Sequence, residues 1–104
     1  MNQIVEYKIE DNSWESLKKI GFRNIGEGIY IYTFPCYKWN GFVTITGRFT
    51  SYDDTKNITV DVYQEDGRPY SPFYHNEKSE VMSIVRSNIS KECNKCGITR
   101  TFND

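Results

Sequence analysis

The chain has 104 residues, a formal net charge of −1 and a sequence pI near 5.8, and this length is enough for one domain with a real core. A hydrophobic share of 38% and a charged share of 26% are typical of a globular protein and exclude a disordered chain. Without a positive excess a dedicated nucleic-acid binder is disfavoured, and no apolar stretch approaches the roughly 20 residues of a membrane-spanning helix.

The first elements are a short strand and a short helix. Residues Ile4 to Ile9 form an apolar-rich segment that indicates a strand. The helix is predicted to start at Asn12, whose side chain can accept a hydrogen bond from a first-turn amide, with Glu15 completing a capping-box-like arrangement. Gly21 is predicted to end it.

Two further strands are predicted before the middle of the chain. Phe22 to Ile25 forms the first, and a glycine-containing turn leads into Ile29 to Phe34, which is apolar or aromatic on both faces. A strand of that kind is typical of the centre of a sheet. We expect Pro35 to break it, and Cys36 to Asn40 to form a loop.

The clearest signal is the alternation of apolar and polar residues from Gly41 to Thr50, which recurs from Ile58 to Gln64. Alternation of this kind predicts strands of an antiparallel sheet with one buried and one wetter face. The predicted buried face carries Val43, Ile45, Val60 and Val62, and the wetter face carries Thr44, Thr46, Arg48 and Tyr63. Next, Asp66-Gly67 indicates a tight hairpin turn, after which Arg68 to Tyr74 could return along the edge.

The period becomes helical from Glu77 to Cys96, where one apolar stripe runs along the segment. Its members are Val81, Val85, Ile89, Cys93 and Cys96. Gly97 is predicted to stop the helix, and the tail is expected to be loose from about residue 99. We therefore predict a single α+β domain, residues 1–104, with an antiparallel meander of four to five strands, a C-terminal helix packed on one face and a short N-terminal helix.

The cysteines could in principle serve metal binding or redox chemistry. Cys93 and Cys96 have Cys-X-X-Cys spacing, but they lie at a predicted helix C-terminus, where the helix dipole disfavours a thiolate. A zinc site would need Cys36 and His75 as well, at a spacing that matches no standard finger. We favour a core role for these thiols, with no metal and no cofactor, and keep a zinc-stabilised module as an alternative.

The aromatic share of 15%, with eight tyrosines, is high. If Ile29 and Ile31 face the helix, then Tyr30, Tyr32 and Phe34 project from the other face of the sheet. We call these three residues the aromatic row, and such a row could bind a partner. Two other interpretations stay open: these residues simply favour strands, or the N-terminal helix covers them. The candidate binding residues are Tyr30, Tyr32, Phe34, Tyr37, Lys38, Trp39, Arg48 and Tyr63.

These observations favour a small non-enzymatic binding or regulatory protein that acts through protein–protein contacts or self-association, because no catalytic constellation is apparent. The alternative is a single-stranded nucleic-acid binder, with the aromatic row as stacking platforms beside Lys38, Arg48 and Arg68. No signal sequence is seen, and an odd number of cysteines, three, favours reduced thiols, so we expect a cytoplasmic location. The composition suggests a bacterial or phage origin.

Overall fold

The computed structural model describes residues 4–103. Within this range the chain forms six strands and three helices. In chain order these are β1 (Ile4–Ile9), α1 (Trp14–Ile20), β2 (Arg23–Gly26), β3 (Ile29–Trp39), β4 (Phe42–Tyr52), β5 (Asn57–Gln64), α2 (Ser71–Tyr74), α3 (Glu80–Cys96) and β6 (Ile98–Asn103).

All six strands join one antiparallel sheet in the order β2-β3-β4-β5-β1-β6. The predicted α+β class with an antiparallel sheet is therefore confirmed. The meander covers the four consecutive strands β2 to β5. The sheet then gains two more strands, because β1 pairs with β5 and β6 pairs with β1.

The C-terminal tail is an ordered edge strand, so the prediction of a loose tail from residue 99 is wrong. Gly97 adopts a left-handed conformation (φ 72°, ψ 27°), and its amide bonds back to the carbonyls of Cys93 and Asn94. This turn reverses the chain and places Ile98 opposite Ile9 in the sheet. The strand was missed because its Thr-Arg-Thr centre lacks an apolar alternation.

Helix α1 begins one residue later than the sequence indicates. Ser13 is the N-cap, and its hydroxyl accepts from the amide of Ser16. The carboxamide of Asn12 donates instead to the carbonyl oxygen of Thr55 at 2.9 Å, which ties the start of α1 to the β4–β5 connection. Gly21 ends the helix, as predicted.

Strand β3 continues through Pro35 to Trp39, so the predicted break at the proline is wrong. Strand β2 pairs with β3 only as far as Ile31, and beyond that point no strand among residues 4–103 lies beside this edge of β3. A proline there removes no hydrogen bond to β2. On the same strand, Nδ2 of Asn88 in α3 donates to the carbonyl oxygen of Cys36 at 2.7 Å.

Helix α3 packs with the apolar stripe that its sequence predicts. Its N-cap is Ser79, whose hydroxyl accepts from the amide of Met82 at 3.1 Å, so the helix starts three residues after Glu77. Val81 is only half-buried. The buried residues of the helix are Met82, Val85, Ile89, Cys93 and Cys96.

The core lies between one face of the sheet and the helices α1 and α3. We call this the core face; it includes Phe34, Phe49 and Val62, all buried. The rings of Phe34 and Phe49 pack with centroids 4.7 Å apart. The opposite face of β3, β4 and β5 is called the open face, and it includes Thr33, Thr46, Arg48, Asp61 and Tyr63.

Candidate functional site

The predicted aromatic row points into the molecule. Register places Tyr32 beside Phe49 and Phe34 beside Gly47, on the core face. Tyr30 is 9% exposed and Phe34 is 3% exposed, and the ring of Trp14 stacks on Tyr30 at a centroid distance of 5.2 Å. The prediction that these rings form an exposed binding face is therefore wrong. Large rings fill the space beneath α1 and α3, whereas the isoleucines of β3 take the other side.

Tyr32 is fixed in this position by helix α3. Its hydroxyl donates to Oε2 of Glu92 at 2.7 Å. Burial raises the pKa of Tyr32 well above its ordinary value, and the neighbouring Glu92 carboxylate raises the pKa further. The hydroxyl is therefore a fixed donor that links strand to helix, and it is not free to contact a partner.

Arg48 and Tyr63 do lie on the open face, as the alternation predicts. An Nη of Arg48 reaches a carboxylate oxygen of Asp61 at 3.4 Å, and the guanidinium lies 5.7 Å from the centroid of the Tyr63 ring. The other oxygen of Asp61 accepts from the hydroxyl of Tyr74 at 3.0 Å. Arg48, Asp61 and Tyr74 therefore form one polar cluster on the open face, although Nε of Arg48 is buried without a hydrogen-bond partner among residues 4–103.

The remaining predicted residues lie in the end of the β3–β4 hairpin, which we call the hairpin tip (residues 37–43). Its turn is Asn40-Gly41, with φ of 52° and 82°, as a two-residue turn of type I′ requires. Trp39 pairs across the turn with Phe42, and the next pair is Lys38 with Val43. The segment expected to be a loop is thus a paired ribbon.

The hairpin tip exposes an unusual amount of apolar side chain. Trp39 is 62% exposed, Phe42 is 74% exposed and Val43 is 40% exposed. The sequence singled out Trp39 and gave no role to Phe42. It predicted that Val43 lies on the buried face, which is wrong, because Val43 lies in the hairpin tip beyond the cover of the helices. The Asn-Gly pair, two residues long and placed between Trp39 and Phe42, was the signal that could have placed them side by side.

Tyr37 connects the tip to the rest of the molecule. It is half-buried and packs against the core, and with Tyr70 and Thr44 it lines a shallow recess of about 290 Å³. Burial raises the pKa of Tyr70, and the nearby Glu77 raises it further. The hairpin tip is therefore packed against the core at Tyr37 and exposes Trp39 and Phe42 at its end.

The cysteines are packed as core residues. Cys36, Cys93 and Cys96 are free and buried, and burial raises the pKa of Cys36 to about 12 and those of Cys93 and Cys96 to about 11. These thiols are protonated at neutral pH, unlike activated redox pairs. Across residues 4–103, no group of three or more histidine, cysteine or acidic side chains is arranged to hold a metal ion.

The fold has a counterpart among solved structures. It is similar to the crystal structure of a DUF1831 family protein from Lactobacillus plantarum, with a TM-score of 0.63 over 93% of this chain and 88% of that one. The chain shares its fold with that protein. The two sequences are 12% identical, so the likeness concerns the fold alone. Neither a protein-family model nor a curated protein matches the sequence.

In the part of the chain that the structure describes, each helix is too short or too polar to cross a bilayer.

Proposed function

We propose that this is a non-enzymatic binding protein that contacts another protein through its hairpin tip. The observation that carries the proposal is the exposure of Trp39 and Phe42, which are 62% and 74% accessible as a cross-strand pair. Tryptophan supplies a large share of binding energy at protein interfaces when it becomes desolvated. Keeping two adjacent large apolar rings in water is unfavourable, and contact with a partner removes that cost.

The geometry of the tip supports the proposal because the backbone that carries the two rings is a paired ribbon before binding. The Asn40-Gly41 turn closes the ribbon, and the carbonyl oxygen of Cys36 at its base is bonded to Asn88 of α3. A rigid ribbon loses less conformational entropy on association than a loop does. The recess beside Tyr37 offers a place for a side chain of the partner.

The other functions considered from the sequence have less support. Nucleic-acid stacking depended on Tyr30, Tyr32 and Phe34, which are covered by the helices. Arg48 and Arg68 are paired with Asp61 and Asp66, so their charge is partly compensated. The zinc-stabilised alternative required cysteines that instead line the core.

We extend the proposal to a cytoplasmic location and to a bacterial or phage origin. The support for the location is chemical: three buried thiols without a disulfide among residues 4–103 suit a reducing compartment. The support for the origin is composition alone.

The proposal is tested by capturing partners from a lysate of the native host, purifying each captured protein and measuring its affinity by calorimetry. The Trp39→Ala and Phe42→Ala variants should each bind at least about tenfold more weakly, a loss of about 1.4 kcal/mol. Both side chains are exposed, so the free energy of unfolding should change by no more than about 0.5 kcal/mol.

Ile25→Ala is the matched control, since Ile25 is 57% exposed but lies in β2, away from the tip. Its affinity should stay within about twofold of wild type. Self-association, measured by sedimentation velocity on the same variants, shows whether a second copy is the partner. A purified partner that binds wild type, Trp39→Ala and Phe42→Ala equally well contradicts the proposal.

A further inference from the structure

A second feature of the molecule lies away from the hairpin tip. Helix α3 is bonded to β3 through Asn88 and Glu92, and the strands at the other end of the sheet form the floor of a cleft of about 940 Å³. We call it the arginine cleft. Its floor comes from β5, β1 and β6, one wall from α3 and the other from α2 and the residues after it. The volume is in the range of small-molecule sites.

The cleft carries positive charge without a carboxylate. Arg86 projects from α3 and Arg100 from β6, and neither aspartate nor glutamate is among the described residues that line the cleft. Arg86 donates through Nη2 to Oδ1 of Asn76 at 3.2 Å and to the carbonyl oxygen of Glu77 at 2.6 Å. Arg100 donates through Nη1 to the hydroxyl of Ser90 at 2.7 Å.

All three of these acceptors are neutral, so the charges of the two guanidinium groups are not compensated within the cleft. This is notable in a chain whose net charge is −1. By contrast, Arg48 and Arg68 form the ion pairs of the described residues, and each has an aspartate partner. Guanidinium groups bind carboxylate and phosphate oxygens through parallel N–H donors. An anion is therefore the complementary head group.

The rest of the lining is mixed: Thr59, His75 and Asn76 contribute polar atoms, and a set of apolar side chains lies beside them. Val5, Val60, Phe73 and Phe102 contribute aliphatic and aromatic surface, and Phe102 is exposed at 55%. A simple inorganic anion would leave this surface in water, whereas a ligand with an apolar body would cover it. A ligand that complements both kinds of lining has a negatively charged group at one end and an apolar body.

Tyr7 adds a further polar group between the two regions. Its side chain is half-buried in the cleft, and Tyr7 lies directly opposite Arg100 in the β1–β6 pair. Burial raises the pKa of Tyr7, Cys93 raises it further and the positive charge of Arg100 opposes the rise. A neutral phenol beside a guanidinium offers one more donor to an anionic head.

We propose that the arginine cleft binds an amphipathic anion, with a carboxylate or phosphate head at Arg86 and Arg100 and an apolar chain or ring on the floor of β5, β1 and β6. This site is independent of the hairpin tip. Binding needs no covalent step and no metal.

The test is a titration of the isotopically labelled protein, followed by NMR, with three ten-carbon probes below their micellar concentrations: sodium decanoate, decyl phosphate and decanol. At least one anionic probe should bind saturably and shift the amide signals of β1 and β6. Decanol should bind at least about tenfold more weakly. Comparison of decanoate with decyl phosphate identifies the preferred head.

Arg100→Gln should lower the affinity for the anionic probe at least about tenfold, to that for decanol. Arg100→Lys should retain part of the affinity. Arg23→Gln, at the opposite edge of the sheet, is the matched control and should bind as wild type does. Because Arg100 is exposed, its variants should fold, and thermal unfolding verifies this. Equal binding of decanol and decanoate, unchanged affinity in Arg100→Gln, or the absence of saturable anion binding would overturn the proposal.

Discussion

The hydroxyl of Tyr32 donates a hydrogen bond to Oε2 of Glu92 at 2.7 Å and joins the longest helix to β3. The ring of Tyr32 also stacks on Phe49, with centroids 6.0 Å apart. Both partners of the hydrogen bond are half-buried, and the acceptor is a carboxylate. This contact therefore ties the core-facing side of β3 to helix α3.

Removing the hydroxyl should therefore weaken the fold. Tyr32→Phe leaves the Glu92 carboxylate half-buried without its donor, and we expect the free energy of unfolding to fall by about 1–2 kcal/mol. Urea denaturation measures it. Tyr52→Phe is the matched control, because the hydroxyl of Tyr52 has no partner in the described part of the chain, and it should change stability by less than about 0.5 kcal/mol. Equal effects in the two variants would show that the contact contributes nothing.

Gly47 should not tolerate a larger residue. A β-carbon there would lie 2.5 Å from Cε2 of Phe34 and 2.8 Å from Sγ of Cys36. Gly47→Ala should therefore lower the free energy of unfolding by about 1–3 kcal/mol through overpacking. Gly26→Ala is the control, since its β-carbon would meet only Cδ1 of Ile29 at 4.0 Å. Phe34→Leu combined with Gly47→Ala should cost less than the sum of the single changes. An unfolding free energy of Gly47→Ala equal to wild type contradicts this packing.

The sequence predicts elements best where one face alone is apolar. Strands β4 and β5 and the stripe of α3 are of this kind, and they form as expected. Strand β3 is apolar on both faces, so its alternation cannot say which side is buried. Gly47 in the neighbouring strand β4 could have indicated the buried side, because a glycine inside a strand often marks a close approach by a neighbouring group. The neighbour is the ring of Phe34.

The arginine cleft could not be predicted from the sequence, for a different reason. Its lining comes from five separate segments, β1, β5, α2, α3 and β6. One of these, β6, was expected to be loose, and without β6 Arg100 has no defined position. The strand order that brings β1 between β5 and β6 depends on long-range packing. No local pattern encodes it.

Replacing Ser51 and Ser79 by alanine should change the free energy of unfolding in opposite directions. The hydroxyl of Ser51 is buried in β4 and has no hydrogen-bond partner among residues 4–103, so Ser51→Ala should raise the free energy of unfolding by about 1 kcal/mol. Ser79 caps α3 through the amide of Met82, so Ser79→Ala should lower it by about 1 kcal/mol. Urea denaturation of both variants checks the pair. Destabilisation by Ser51→Ala would mean that its hydroxyl is satisfied in solution.

The buried thiols should make the protein sensitive to alkaline pH. Burial raises the pKa of Cys36 to about 12 and those of Cys93 and Cys96 to about 11, from an ordinary value of 9.0. Above pH 9 the unfolded chain loses these protons while the folded chain keeps them. The unfolded state then binds fewer protons, so stability is complete below pH 9 and falls as the pH rises towards the folded pKa values.

The expected loss is of order 1 kcal/mol per thiol per pH unit between about pH 9 and 11, measured by urea denaturation with a reductant present. Cys93→Ala is the control: it starts less stable at pH 7.5, but its stability should fall with a shallower slope because one fewer proton is involved. In the same window, the folded protein should react slowly with Ellman's reagent, since the thiolate is the reactive form. A flat stability profile up to pH 10.5, or rapid labelling of the folded protein, would show that these thiols are accessible.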